Sequence, residues 1–297
     1  MLAKLALLVP LGLLGLSFAG FWRRLARSQP SAAERPSLEQ TAIGFVTDFF
    51  DTLGIGSFAT TSTWYRLRQI VPDRLLPGTL NVGHALPTIV QALIYIVIIE
   101  VDALTLVSLI AAAVAGGYVG AARVAHWPVQ RVQVGMGVAL AAAALLLLLR
   151  LLALLPAGAD ATHLRGLPLA AGIAGNFVLG ALNTAGVGLY GPCMIMIALL
   201  GMNPKSAFPV MMGSCAFLMP VASLRFVRAQ SYAPGAALGL TVGGIPGVLI
   251  AAYLVRELPL DALRWLVLFI ALYTSQTLLR AAWRGAGADP RVDRRGP

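Results

Sequence analysis

Repeated runs of about 20 apolar residues constrain this chain more than any other feature. A helix of that length rises about 30 Å, the thickness of a bilayer's hydrocarbon core. Seven stretches fit: roughly 2–22, 79–99, 103–122, 132–155, 206–224, 233–255 and 262–283. Only 11% of the 297 residues are charged, 58% are apolar, and mean hydropathy is +0.81. An ordinary soluble chain is about a quarter charged, so a cytosolic globular enzyme is excluded for want of polar surface. The net charge of +10 sits in short clusters between apolar runs. That is the pattern of an integral membrane protein, not of a nucleic-acid binder. Two cysteines make no disulfide framework, and three distant histidines make a poor metal site. No cofactor is expected.

Two further apolar stretches, 41–67 and 169–200, do not read as simple spans. Each is interrupted by a glycine cluster, DTLGIGSFATT at 51–61 and NTAGVGLYGPC at 183–193. A broken helix leaves backbone groups unpaired. In lipid it survives only where protein buries it or it lines a cavity. Suppose each broken stretch enters and leaves on one side as a re-entrant hairpin. Then 16 of the 22 basic residues fall on the cytoplasmic side, among them Arg23, Arg24, Arg27, Arg66, Arg68, Arg225 and Arg228. The 100–102 loop, which has no basic residue, falls outside. The positive-inside rule favours this hairpin arrangement over interrupted full spans, although a short full crossing fits the lengths as well. The first helix is long, lacks a clear small-x-small cleavage site and runs into Arg23, Arg24 and Arg27, and so reads as an uncleaved anchor.

Displaced by 132 residues, the chain meets itself. Phe45, Val46, Thr52, Gly54, Gly56, Leu67, Pro72 and Pro77 align with Phe177, Val178, Thr184, Gly186, Gly188, Leu199, Pro204 and Pro209 without a gap. Asp51 meets Asn183 and Phe58 meets Tyr190. Each copy holds one broken hairpin and three spans, and an odd number of spans inverts the second copy. The expected fold is therefore an all-α polytopic membrane protein of two inverted-topology repeats. Its segments are an anchor helix and basic linker (1–37), repeat 1 (38–160), repeat 2 (161–285) and a polar tail (286–297). Such proteins place substrate at the repeat interface near the midplane.

The duplicated glycine breaks LGIGSFATT and AGVGLYGP resemble the sulfite exporter TauE/SafE family, also called the TSUP (4-toluenesulfonate/sulfite permease) family. So do the proline-led segments LLPGTLNVGHALP and AFPVMMGSCAFLMP that follow them. The likeness covers about residues 41–284. It implies proton-linked movement, by export, of sulfite or an organosulfonate across a bacterial inner membrane. This sequence departs from the family's glycine-rich core where Ser57 and Phe58 follow Gly56, and where Leu189 and Tyr190 follow Gly188.

The residues add a physical account. The second arm of each hairpin starts at the tip, so its helix N-terminus aims unpaired N–H groups and a positive dipole end at the membrane centre. The expected anion-binding residues are Thr52, Gly54, Gly56, Ser57, Phe58 and Asn81 of the first copy, and Asn183, Thr184, Gly186, Gly188, Tyr190, Gly191 and Ser214 of the second. The glycines equally suit close helix packing alone. Acidic residues at this depth are rare and face cavities or partners. Asp51, Asp48 and His84 are therefore the expected proton-coupling groups. Asp51 capping the tip, Asp48 paired to an arginine near the interface and His84 in an interhelical hydrogen bond are the plainer readings. The expected partners are a small anion, protons and membrane lipid. Rival functions are a passive anion channel and a membrane scaffold. An intramembrane enzyme has no Ser/His pair or zinc pattern to support it.

Overall fold

The computed structural model describes residues 2–27, 35–123, 129–152, 161–183, 189–257 and 260–286. Eleven α-helices run through them: α1 (Leu2–Arg27), α2 (Leu38–Thr52), α3 (Ser57–Leu67), α4 (Leu76–Ile98), α5 (Ala103–Arg123), α6 (Val129–Leu151), α7 (Gly166–Asn183), α8 (Tyr190–Leu199), α9 (Ala207–Arg228), α10 (Pro234–Glu257) and α11 (Leu260–Ala286). Among the described residues there is no strand beyond an isolated bridge between Ala161 and Met202. Among the described residues five helical stretches are long and apolar enough to cross a membrane: Leu5–Leu25, Leu76–Ile98, Gly166–Asn183, Pro204–Arg228 and Pro234–Leu254. The chain is thus a helical membrane protein. One detail differs from the sequence expectation: α7, expected as a half-length arm, is long and apolar enough to cross.

Both glycine-marked stretches break into helix pairs. Helix α2 begins with a reciprocal cap: Ser37 accepts from the Gln40 N–H, and the Gln40 side chain accepts from the Ser37 N–H. This satisfies two of the donors that every helix start leaves bare. The helix ends where Gly54 and Gly56 take φ of 97° and 89°, a region that residues with a Cβ rarely enter. Helix α3 then doubles back. Its C-terminal Arg68 pairs at 2.7 Å with Glu39, at the start of α2, so the two feet of this hairpin meet. The second pair does the same. The end of α8 returns to the start of α7, where the Ala161 N–H donates to the Gly201 carbonyl and the Asn203 N–H to that of Ala161.

The two hairpins close with the same cap, 132 residues apart. The N–H groups of Arg68, Gln69 and Ile70 bond to Trp64, Arg66 and Tyr65, while those of Leu200, Gly201 and Met202 bond to Met196, Ala198 and Ile197. Gln69 takes φ of 51° where its counterpart, Gly201, takes 83°.

Helices α4 and α9 form an antiparallel central pair. Thr88 lies beside Met219, and the Tyr95 ring stacks on Phe208 at 5.2 Å. The feet of the first hairpin lie by the start of α4, where Thr79 accepts from the Ala233 N–H and Tyr65 donates to the Ala236 carbonyl. The feet of the second lie beyond the far end of α4, where Asp102 and Thr105 bond Thr162, Leu164 and Arg165. Since α4 has 23 residues, these two ends are about 35 Å apart. The hairpins therefore approach each other from opposite ends of the molecule.

Small residues let the helices meet. Helix α2 packs along α10, where a Cβ on Gly243 or Gly247 would strike the Thr41 or Phe45 carbonyl. Helix α7 packs along α5 in the same manner, with Gly116 on the Phe177 carbonyl and Gly180 on that of Ala113. Without a hydrophobic drive between helices in lipid, such backbone approach is what holds them together. Helix α6 packs on α11, and α1 lies against α4 and α9 with Trp22 donating to Tyr232 at 3.1 Å.

Candidate functional site

The tip of the first hairpin meets the start of α8 beside α4, around a column of buried polar side chains. Helix α4 supplies one face of it. His84, Thr88, Gln91 and Tyr95 are spaced four, three and four residues apart, which puts them in one row over about 16 Å. All four are buried.

At the end nearer the first hairpin's feet, His84 Nδ1 lies 2.9 and 3.0 Å from the two Asp48 oxygens, with both side chains wholly buried. The other ring nitrogen is 3.1 Å from the Thr61 hydroxyl on α3. Asp48 can approach α10 closely because residue 244 is glycine: a Cβ there would overlap the carboxylate. Phe58 covers the imidazole with its ring centre 6.0 Å away.

One turn further along α2, Asp51 Oδ1 accepts from the Ser57 N–H at 2.5 Å. Ser57 is the first residue of α3, so the carboxylate caps the positive end of that helix. Asp51 Oδ2 accepts from Gln91 Nε2 at 2.9 Å, and the same nitrogen donates to the Thr52 hydroxyl at 2.8 Å. Thr52 in turn donates to the Asp48 carbonyl at 2.6 Å, and Tyr95 to the Thr52 carbonyl at 3.3 Å. From the second hairpin, the Tyr190 hydroxyl donates to Gln91 Oε1 at 3.2 Å. Gln91 thus bridges the two hairpins. The hairpins also touch directly at Gly54, whose missing side chain makes room for Met194 of α8.

The expected site residues distribute unevenly. Asp48, Asp51, Thr52, Ser57, His84 and Tyr190 belong to this network, with Gly54, Gly56 and Phe58 around it. Gly191 packs on Thr274 of α11. Asn81 stands apart: half-buried, it donates to the Pro77 carbonyl of its own helix at 2.8 Å. Ser214 also stands apart, accepting from Asn176 at 3.2 Å and donating to the Val210 carbonyl at 2.7 Å. Asn183 ends α7, half-buried. Thr184, Gly186 and Gly188 lie outside the described residues. The reading of Asp48 as an interfacial partner of arginine is corrected. It is fully buried and its partner is His84, because the tip of α2 lies too far inside for the arginines at the hairpin's feet. Asp51 does take the capping position.

Sequence reasoning passed over Gln91, Thr88 and Tyr95. Their signal is the polar row on α4, which with His84 makes four side chains on one face of a largely apolar helix. Cys193 and Cys215 are buried free thiols. Among the described residues no group of three or more His, Cys, Asp or Glu side chains is placed to hold a metal ion.

Outside the membrane-spanning part, Arg165 pairs with both Asp102 oxygens at 2.8 and 2.9 Å. Those bonds hold the Asp102 carboxyl well below the usual carboxylate range, helped by bonds from the Thr105 N–H and hydroxyl. An open pocket of about 500 Å³ lies here, lined by Glu100, Val101, Asp102, Thr162, His163 and Arg165. It is far from the hairpin tips.

No family model, curated protein or solved structure matches this chain.

Proposed function

We propose that this protein is a proton-coupled secondary transporter of a small anion, built as two inverted repeats whose hairpins are re-entrant in a cell membrane. Hairpins rooted at opposite ends of α4, one cap recurring 132 residues later, and the exchange of α2–α10 for α7–α5 packing support the inverted arrangement. The likeness to the sulfite exporter family favours sulfite or an organosulfonate as the substrate, and export as the direction.

One observation carries the reading: the Asp51 carboxylate sits on the N-terminal N–H of α3, at the meeting point of two broken helices. An incoming anion would seek that same N–H and dipole end. Asp51 is therefore an internal competitor for the substrate. While ionised it holds the place and repels a second negative charge. Once protonated it is a poorer acceptor, and the N–H becomes available. Asp48, ionised or not, adds to the balance through His84, which stands within hydrogen-bond distance and holds its ring against the carboxylate. Neither Lys nor Arg is bonded to either carboxylate among the described residues. Proton uptake thus precedes anion entry, and the two load together.

The test is flux of methanesulfonate and thiosulfate, whose charge is constant near neutral pH, into proteoliposomes under an imposed pH gradient. Wild-type flux should follow the gradient, and Asp51→Asn should lose that dependence. Flux indifferent to pH in the wild type indicates a passive channel. Absence of flux and of ligand stabilisation for every small anion tried indicates a scaffold.

A further inference from the structure

We infer that Gln91 is a positioning residue that relays the protonation state of Asp51 to Tyr190, across the gap between the hairpins, by turning over its side-chain amide. Its purpose rests on the proton-coupled reading above, but the relay itself is a matter of donors and acceptors.

With Asp51 ionised every polar hydrogen in the chain has one place. Both Asp51 oxygens accept, from the Ser57 N–H and from Gln91 Nε2. The second Nε2 hydrogen goes to Thr52, and the Thr52 hydroxyl hydrogen to the Asp48 carbonyl. The Gln91 oxygen is left facing α8 and accepts from Tyr190. A carboxylate accepts only, a carboxylic acid also donates, and an amide has one accepting and one donating end. Now let Asp51 take a proton. Oδ1 stays committed to the Ser57 N–H, so the proton belongs on Oδ2, which then points a hydrogen at the two hydrogens of Nε2. A buried donor facing a donor is costly. Turning the amide by half a circle resolves it, provided that the Thr52 hydroxyl hydrogen swings from the Asp48 carbonyl to the Gln91 oxygen: that oxygen then accepts from Asp51 and Thr52, and Nε2 donates to the Tyr190 oxygen. Tyr190 can no longer give its own hydrogen to Gln91. That hydrogen turns to the adjacent Thr88 hydroxyl or to an anion at the tip. A proton gained on the first hairpin thereby makes a donor available on the second. Proton count is conserved, because the one proton taken from water stays on Asp51 and every other step is rotation.

The titratable groups around Asp51 are Asp48 on its own helix, His84 and Tyr95 on α4, Tyr190 on α8 and Cys215 on α9. Helix α10 brings Gly244 to this cluster. None of the others contacts Gln91 other than Tyr190, so the amide reads Asp51 alone.

The substitution Asp51→Asn is diagnostic. The Ser57 N–H fixes the oxygen of the new amide on its own side, so the nitrogen faces Gln91 as a permanent donor. Gln91 should then be held in the turned state. In nanodiscs with 15N-labelled glutamine, the side-chain amide pair of Gln91 is identified by its absence in Gln91→Leu. In the wild type it should shift across the pH range in which Asp51 takes up its proton. In Asp51→Asn it should sit at the low-pH position throughout, and in Tyr190→Phe the wild-type shift should persist. A wild-type signal indifferent to pH, or an Asp51→Asn signal at the high-pH position, overturns the relay. Methanesulfonate should bind roughly tenfold tighter at the acid end of this range in the wild type, the worth of one bond to a charged group. Gln91→Leu and Tyr190→Phe should lose that gain. A turning amide in a protein that neither binds nor moves an anion would leave the relay standing and remove the transport reading. Proton-coupled flux with a motionless amide would do the reverse.

Discussion

Asp48 and His84 show how two titratable side chains are accommodated at the centre of this molecule. Each is wholly buried, and each supplies the other's principal partner. Removing one member of such a pair strands the other, which is worse than never having built the pair. His84→Ala should therefore lower stability by about 3 kcal/mol, read as a lower melting temperature in detergent. Asp48→Asn, which keeps a hydrogen-bond acceptor for the ring, should cost markedly less. The sequence pointed to Asp48, Asp51 and His84 because ionisable residues inside an apolar run are costly and conspicuous. It did not point to Gln91, an uncharged amide whose importance comes from standing between two segments distant in the chain. Only its helical spacing from His84 and Tyr95 was there to be read.

The elements were more legible than their junctions. Apolar length located the long helices to within a few residues, and the glycine clusters located both breaks. Sequence alone left open whether α2 and α3 double back, since two short arms and one interrupted crossing have the same length. Tertiary contact decides it, in the pairing of Glu39 with Arg68. Cysteines placed at positions 39 and 68 should be joined by a short bifunctional reagent in native membranes, detected as altered gel mobility after proteolysis within α2–α3. The native thiols, Cys193 and Cys215, are buried and should not compete. Failure of the link would place the arms on opposite faces. The small-residue patterns on α5 and α10 announced close packing, but which helix they face depends on a register that hydropathy does not carry. For Asn81 and Ser214, proximity in sequence to the tips was a poor guide, because each turns its polar atoms to neighbours outside the network.

Across the whole molecule, the end opposite the first hairpin's feet is held by Asp102 and Arg165. The Asp102 carboxyl is depressed in the fold, so the unfolded chain takes up its proton first as pH falls. The pair's contribution is complete above about pH 4 and is lost as pH drops through the lower folded value. Solvent reaches both groups and screens the pair, which keeps that contribution small. Asp102→Asn keeps an acceptor for the Thr105 N–H and removes only the charge. It should melt slightly below the wild type at neutral pH, and the difference should vanish in acid. The two halves of the chain differ in what they bring to the central column. Every carboxylate and imidazole in the central column is carried by the first half, while the second contributes a phenol. The imidazole is bonded to Thr61 of the first hairpin, whereas toward the second hairpin the column continues through an amide that cannot ionise to Tyr190. On the proposed transport reading, acidity on the two sides of the membrane is therefore not interchangeable, and flux should depend on which side is acid even when substrate is equally abundant on both.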